Sequence, residues 1–148
     1  MNHEQLQFFI NMSFIQSKIE RSFDLGLGNG IGWNDFVILF HLFHAPEQKM
    51  RRIDLADRLS MSPSGITRML LPMEKIGLVG RESNVNDARV SFVTLVPGGK
   101  RLLEESLERA QMISEHLLPT IEIKGMENIS EIFSLFVALP HYTSEGKQ

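Results

Sequence analysis

Cysteine is absent from the 148 residues. That excludes disulfides, thiolate metal sites and cysteine-based redox sensing. No apolar run reaches the ~18 residues that a membrane helix needs. Residues 1–5 (Met-Asn-His-Glu-Gln) hold no basic stretch leading into an apolar one, so no secretory leader is expected. A cytoplasmic chain with no membrane partner is the simple expectation. A glycine-rich phosphate loop, a nucleophile elbow and an H-E-x-x-H pair are also missing. Nothing in the sequence therefore points to an enzyme, and neither a cofactor nor a resident metal is expected. Positive charge is scarce as well: 15 Lys and Arg stand against 18 Asp and Glu, for a net charge of −3. Taken alone, that argues against a nucleic-acid partner.

The distribution of charge reverses the argument. Residues 49–101 carry ten bases (Lys49, Arg51, Arg52, Arg58, Arg68, Lys75, Arg81, Arg89, Lys100 and Arg101) and five acids (Asp54, Asp57, Glu74, Glu82 and Asp87). This segment is +5, which leaves −8 for the rest of the chain. Phosphate contact needs a local positive surface, not a basic whole protein. With 43% hydrophobic residues the chain can bury a real core and is not disordered.

Hydrophobic periodicity predicts the elements. Residues 4–25 place Phe8, Met12, Ile15, Ile19 and Phe23 on one helical face and Leu6, Phe9, Ile10 and Phe14 on a second. Such a helix needs partners on two sides, either in the core of its own chain or in a dimer. Gly26, Gly28, Gly30 and Gly32 break the pattern into a loop. A helix over 33–43 stops before Ala45-Pro46, and 49–51 reads as a short strand. A short helix over 52–59, with Ile53, Leu55, Ala56 and Leu59 apolar, turns at Ser60-Met61. Ser62 is a good N-cap and Pro63 a good first residue for the next helix. That helix runs to Ile76, with Gly77 suited to the left-handed position after it. Strands at 78–82 and 90–95 flank a polar turn at 83–88. A long helix over 97–118 stops at Pro119, and a last one spans 125–139. Residues 140–148 are expected to be a mobile tail.

Two short helices joined by a turn, followed by a hairpin, make a winged helix-turn-helix. Ile66, Met69, Leu70, Met73 and Ile76 can face inward. Ser62, Ser64, Gly65, Thr67 and Arg68 can face outward at the end where a recognition helix meets base edges. Arg68 can donate two hydrogen bonds to guanine, and hydroxyls suit phosphates or several bases. A solvated polar face is the bland alternative. Pro72 lies past that end, so a kink there need not disturb it. In the wing, Asp87 and Arg89 are two residues apart on an extended segment and so share a face. The carboxylate can aim the guanidinium into a narrow minor groove, unless the two form only a surface ion pair. Arg51, Arg52 and Arg81 are further basic candidates for DNA contact.

These residues give the chain a resemblance to the MarR family of bacterial regulators, over roughly residues 33–118. The resemblance is carried by Leu55-Ala56-Asp57-Arg58-Leu59-Ser60-Met61-Ser62-Pro63-Ser64-Gly65-Ile66-Thr67-Arg68, by Met73-Glu74-Lys75-Ile76-Gly77-Leu78-Val79, and by Asp87-Ala88-Arg89. It implies a mainly α fold with a small β-wing. The winged helix-turn-helix would span 33–96, and residues 1–32 and 97–148 would form a helical dimerisation region. It implies a homodimer on a pseudo-palindromic double-stranded operator, acting as a repressor, with Phe8, Phe9, Met12, Ile129, Ile132, Phe133 and Phe136 at the dimer interface. It also implies a small aromatic or anionic effector, bound by analogy among Phe14, Trp33, Phe36, Phe40 and Met112, which are otherwise ordinary core residues. Three departures stand out. Ala88 replaces a base common between the Asp and the Arg. Val96-Pro97-Gly98-Gly99 replaces Leu-Thr-x-x-Gly and removes a hydroxyl helix cap. Cysteine-based sensing is excluded.

Two alternatives remain open at this level. His41 and His44, three apart on one helix, can join Asp24 and His116 in a regulatory zinc site of the kind some family members use. The winged helix can also serve as a protein-interaction module.

Overall fold

The computed structural model describes residues 3–118 and 126–139. Pro119, Gly125 and the tail at 140–148 lie outside the described residues. In chain order the elements are α1 (Glu4–Gly26), α2 (Trp33–His44), a 3₁₀ turn (Pro46–Gln48), β1 (Lys49–Arg51), α3 (Arg52–Arg58), α4 (Pro63–Lys75), β2 (Val79–Ser83), β3 (Ser91–Leu95), α5 (Pro97–Leu117) and α6 (Met126–Ala138). Apart from the 3₁₀ turn, these are the predicted elements, with ends shifted by one or two residues. The chain divides into two compact units between Ile113 and Ser114.

In the first unit, Ile38, Leu39 and Leu42 of α2 are buried with Leu55 and Ala56 of α3, Ile66, Leu70 and Met73 of α4, Val79, Val93 and Leu103. Burying each large aliphatic side chain is worth about 1.5–3 kcal/mol, and this set draws on α2, α3, α4, β2, β3 and α5. The sheet is antiparallel in the order β1-β3-β2. Arg51 pairs with Phe92, and Val79 with Leu95. The short strand at 49–51 thus packs beside the wing instead of standing alone. Leu27 and Ile31 are buried, so the glycine-rich turn after α1 is anchored at both ends.

One expectation needs correction, and two open points are narrowed. Ile76 was expected to face inward with Met73, yet it is 68% exposed. It is the C-cap of α4, with φ −93° and ψ 5°, so the helical period no longer sets its direction. The chain reverses at Gly77 (φ 76°), and Leu78 takes the buried position. Ile53, one of the apolar positions of α3, is exposed. In α1 only Phe23 is buried, whereas Leu6, Phe8, Phe9, Ile10, Phe14 and Ile15 are exposed, so the core of their own chain does not account for them. The second unit contains α6, where Ile129, Ile132, Phe133, Leu135, Phe136 and Val137 are exposed, as is Leu139 just past its end. Among the described residues no helix is long and apolar enough to cross a membrane.

Candidate nucleic-acid interface

The turn between α3 and α4 is closed by Ser60 N–H donating to the Asp57 carbonyl (3.0 Å) and Met61 N–H to the Ala56 carbonyl (2.9 Å), with Ser60 at φ 51°. Ser62 then caps α4 as predicted: its Oγ accepts from Gly65 N–H at 3.0 Å, and Pro63 is the first helical residue. The Ser64 hydroxyl lies 3.2 Å from that of Ser62. Thr67 Oγ1 donates to the Pro63 carbonyl (2.9 Å) and accepts from Arg52 Nη1 (3.2 Å). A hydroxyl has one proton, and Thr67 spends it inside the helix. Its side chain thereby ties α3 to α4. Ser62, Ser64 and Arg68 are exposed, while Gly65 and Thr67 are half-buried.

The wing is an ordered loop. Asn84 N–H donates to the Val90 carbonyl (3.1 Å), Asn86 N–H to Asn84 Oδ1 (2.8 Å) and Val90 N–H to the Asp87 carbonyl (3.0 Å). Asp87 also receives Arg89 N–H and Nε on Oδ1 and Nη2 on Oδ2. The Arg89 side-chain bonds, then its backbone N–H, hold the Asp87 carboxyl below the usual carboxylate range. The expected pairing of these two residues is present.

Arg51, Arg52 and Arg89 meet around a cavity of about 230 Å³, between the start of α3, the first turn of α4 and the root of the wing. Ile53, Pro63, Ile66 and Val90 form its apolar wall, with Ser91 beside them. Arg81 is held elsewhere. Its Nε donates to Glu74 Oε1 at 2.7 Å, and that bond raises its pKa. Lys49 bridges Glu82 and Glu47, each at 3.1 Å, and lies over the Phe92 ring; its two hydrogen bonds to these carboxylates raise its pKa. Glu74 and Lys49 had no distinctive signal in the sequence, because each acts across a turn or between strands.

The residues expected around an effector divide. Trp33, Phe36 and Phe40 stand in one row that starts at Phe23 and ends at His44, with ring centroids 4.3 to 6.4 Å apart. Phe14 and Met112, in contrast, are 71% and 64% exposed. The residues considered for zinc have other partners. Asp24 Oδ1 accepts from Trp33 N–H at 2.7 Å, and His44 Nδ1 lies 2.9 Å from the Phe40 carbonyl. Burial, then Arg58, then His44 lower the pKa of His41. His116 belongs to the second unit. Among the described residues no group of three or more His, Cys, Asp or Glu is placed to hold a metal ion.

The family model described as the MarR family matches residues 31–91. The chain is 28% identical to the HTH-type transcriptional repressor YetL of Bacillus subtilis (strain 168) over 103 residues, which are 69% of this chain and 62% of YetL. It spans about three fifths of the length of the curated relatives it matches. Among solved structures, it is similar to the transcriptional regulator BldR from Sulfolobus solfataricus, with TM-score 0.77, 26% identity, and 91% of this chain and 99% of that one covered. A mutant of MarR from E. coli complexed with operator DNA shares the fold, with TM-score 0.75, 24% identity, and 93% and 97% covered. With the helix-turn-helix, the paired Asp87 and Arg89 and the three-stranded sheet in place, residues 31–91 match the MarR family.

Proposed function

We propose that this chain is a transcriptional regulator, not an enzyme, that binds double-stranded DNA with the first turn of α4 in the major groove and the wing over the adjacent minor groove. The observation that carries this reading is the geometry of Arg89. Its guanidinium is held by Asp87 while the side chain is 90% exposed, across one cavity from Arg51 and Arg52. A fixed, exposed guanidinium suits a narrow, electronegative groove, and the two neighbouring arginines suit the flanking phosphates. Ser62, Ser64, Gly65, Thr67 and Arg68 form the end of α4 that approaches the bases. Arg81 acts through Glu74 at the base of the wing.

The finer reading is a cytoplasmic homodimeric repressor on a pseudo-palindromic operator. Residues 33–96 form the reading head, and the regions at 1–32 and 97–148 form the dimerisation part. The exposed apolar residues of α1 and α6 support it: Phe8 and Phe9 on one helix, with half-buried Met12, and Ile129, Ile132, Phe133 and Phe136 on the other. Exposed apolar surface on this scale marks an interaction site. A small aromatic or anionic effector that reaches Phe14, Trp33, Phe36, Phe40 and Met112 would release the DNA.

The test is selection of bound sequences from random DNA, followed by affinity measurements at several salt concentrations. A motif with two inverted half-sites and a steep fall of affinity with salt is expected. Binding without sequence preference and with little salt dependence would overturn the proposal and favour a protein-interaction module. Repeating the selection with phenolic ligands tests the effector.

A further inference from the structure

The turn between α1 and α2 is held from both sides by charged side chains that make no part of the reading face. From α1, Asp24 Oδ1 accepts Trp33 N–H at 2.7 Å and so caps the start of α2. Asp35 accepts Gly32 N–H at 3.0 Å at the same end. From α5, Arg109 Nη1 donates to the Leu27 carbonyl at 3.5 Å, where the helical run of α1 ends. The chain passes close beneath these groups. Gly28 has φ +70°, and a Cβ there would overlap Arg109 Nη1. A Cβ on Gly32 would lie 2.6 Å from Asp24 Oδ1. Phe23 packs on Trp33 with ring centroids 4.3 Å apart. Three helices meet at this turn: α1 and α5, which lie outside the reading head, and α2, which opens it.

We infer that Asp24 and Arg109 are positioning residues for DNA binding. They lock the 27–32 turn so that α2, and the helix-turn-helix packed on it, keeps one orientation on α1 and α5. The inference rests on the two-half-site reading above and deepens it. Half-sites lie one helical turn apart, about 34 Å, so two reading heads engage together only if each is held at a set angle. Helix capping at the junction supplies that constraint. An orphan N–H at the start of α2 and an orphan carbonyl at the end of α1 are both satisfied across the joint. Neither side chain needs to touch DNA to act.

The chain has no cysteine, so Lys18→Cys on α1 and Lys75→Cys on α4 give a unique pair for spin labels. Mixed with an excess of unlabelled chain, this pair reports the intra-chain distance by pulsed electron spin resonance whether or not the protein dimerises or binds DNA. A narrow distribution is expected for the parent and for Asp24→Asn, which keeps a carbonyl acceptor for Trp33 N–H. A clearly broader one is expected for Asp24→Ala and Arg109→Met. On selected operators, the last two variants should bind about tenfold more weakly. They should also lose less than the parent when one or two base pairs are inserted between the half-sites, because a loose joint tolerates wrong spacing. Distributions and spacing profiles identical to the parent, even with a lowered Tm, would overturn the inference and leave a merely structural role. If Asp24→Ala fails to fold, Arg109→Met carries the test. A parent that shows no sequence-selective binding would overturn the proposed function, and the distance measurement would still decide the joint.

Discussion

Arg89 reaches the Asp87 carboxylate through its backbone N–H, its Nε and its Nη2, at 3.0, 3.2 and 3.4 Å, while the arginine side chain stays 90% exposed. An exposed pair of this kind adds little to folding. Its effect is to restrict the directions that a long, flexible side chain can take.

Arg89→Ala should therefore weaken operator binding by about tenfold or more at physiological salt and leave Tm nearly unchanged. Asp87→Ala keeps the guanidinium but frees it, and a smaller loss of about threefold is expected. Because one residue acts through the other, the double variant should bind no worse than Arg89→Ala alone. Titration by fluorescence anisotropy with thermal melts checks all three, and unchanged binding by Arg89→Ala would remove the wing from the interface.

Arg68 is exposed on the first half of α4, on the outward side of Ile66 and Leu70. If it donates two hydrogen bonds to one guanine, Arg68→Ala costs roughly 1–3 kcal/mol on the preferred operator. It should cost much less on operators changed at that base pair. The ratio of the two affinities is the useful measurement, since an equal loss on every sequence would make Arg68 a phosphate contact.

The apolar surface of α6 gives the third expectation. Ile129, Ile132, Phe133 and Phe136 follow helical spacing and are exposed. Phe133→Asp or Phe136→Asp places a charge on that face, and burying an unpaired charge is costly. Sedimentation should then report monomers or aggregates in place of dimers, with two-half-site binding lost. A dimer as stable as the parent's would contradict the interface.

How much of this was legible in the sequence depends on how local the chemistry is. Ser62 as cap, Pro63 after it, Gly77 past the end of α4 and the bonding of Asp87 to Arg89 all involve partners within three residues. Residue type and spacing suffice for these. The tie of Arg81 to Glu74, the bond of Arg52 to Thr67 and the capping of α2 by Asp24 span seven to fifteen residues across turns. Pattern alone does not give those distances. Ile76 was misplaced because a helical period was extended one residue beyond the helix. The two apolar faces of α1 were visible, but periodicity measures amphipathicity and does not say whether the covering surface belongs to the same chain. The cavity between Arg51, Arg52 and Arg89 joins residues on three elements and is a property of the packed fold.

The lowered pKa of His41 sets a pH dependence with a definite sign. Burial opposes its charged form first, then Arg58 and His44. An unfolded histidine takes up its proton near pH 6.5, whereas the folded one resists it. Below that pH the unfolded state binds more protons, so stability falls as pH drops through about 6.5 and levels off only once the folded histidine is also protonated. Above about pH 7.5 the contribution of His41 is constant. His41→Gln removes this contribution, and Arg58→Ala weakens it by taking away the stronger of the two repelling charges. Melts at pH 7.5, 6.5 and 5.5 should show the parent losing more in Tm than His41→Gln across that window, with Arg58→Ala between them. Parallel curves for the parent and His41→Gln would mean that His41 takes up its proton as easily in the fold as outside it.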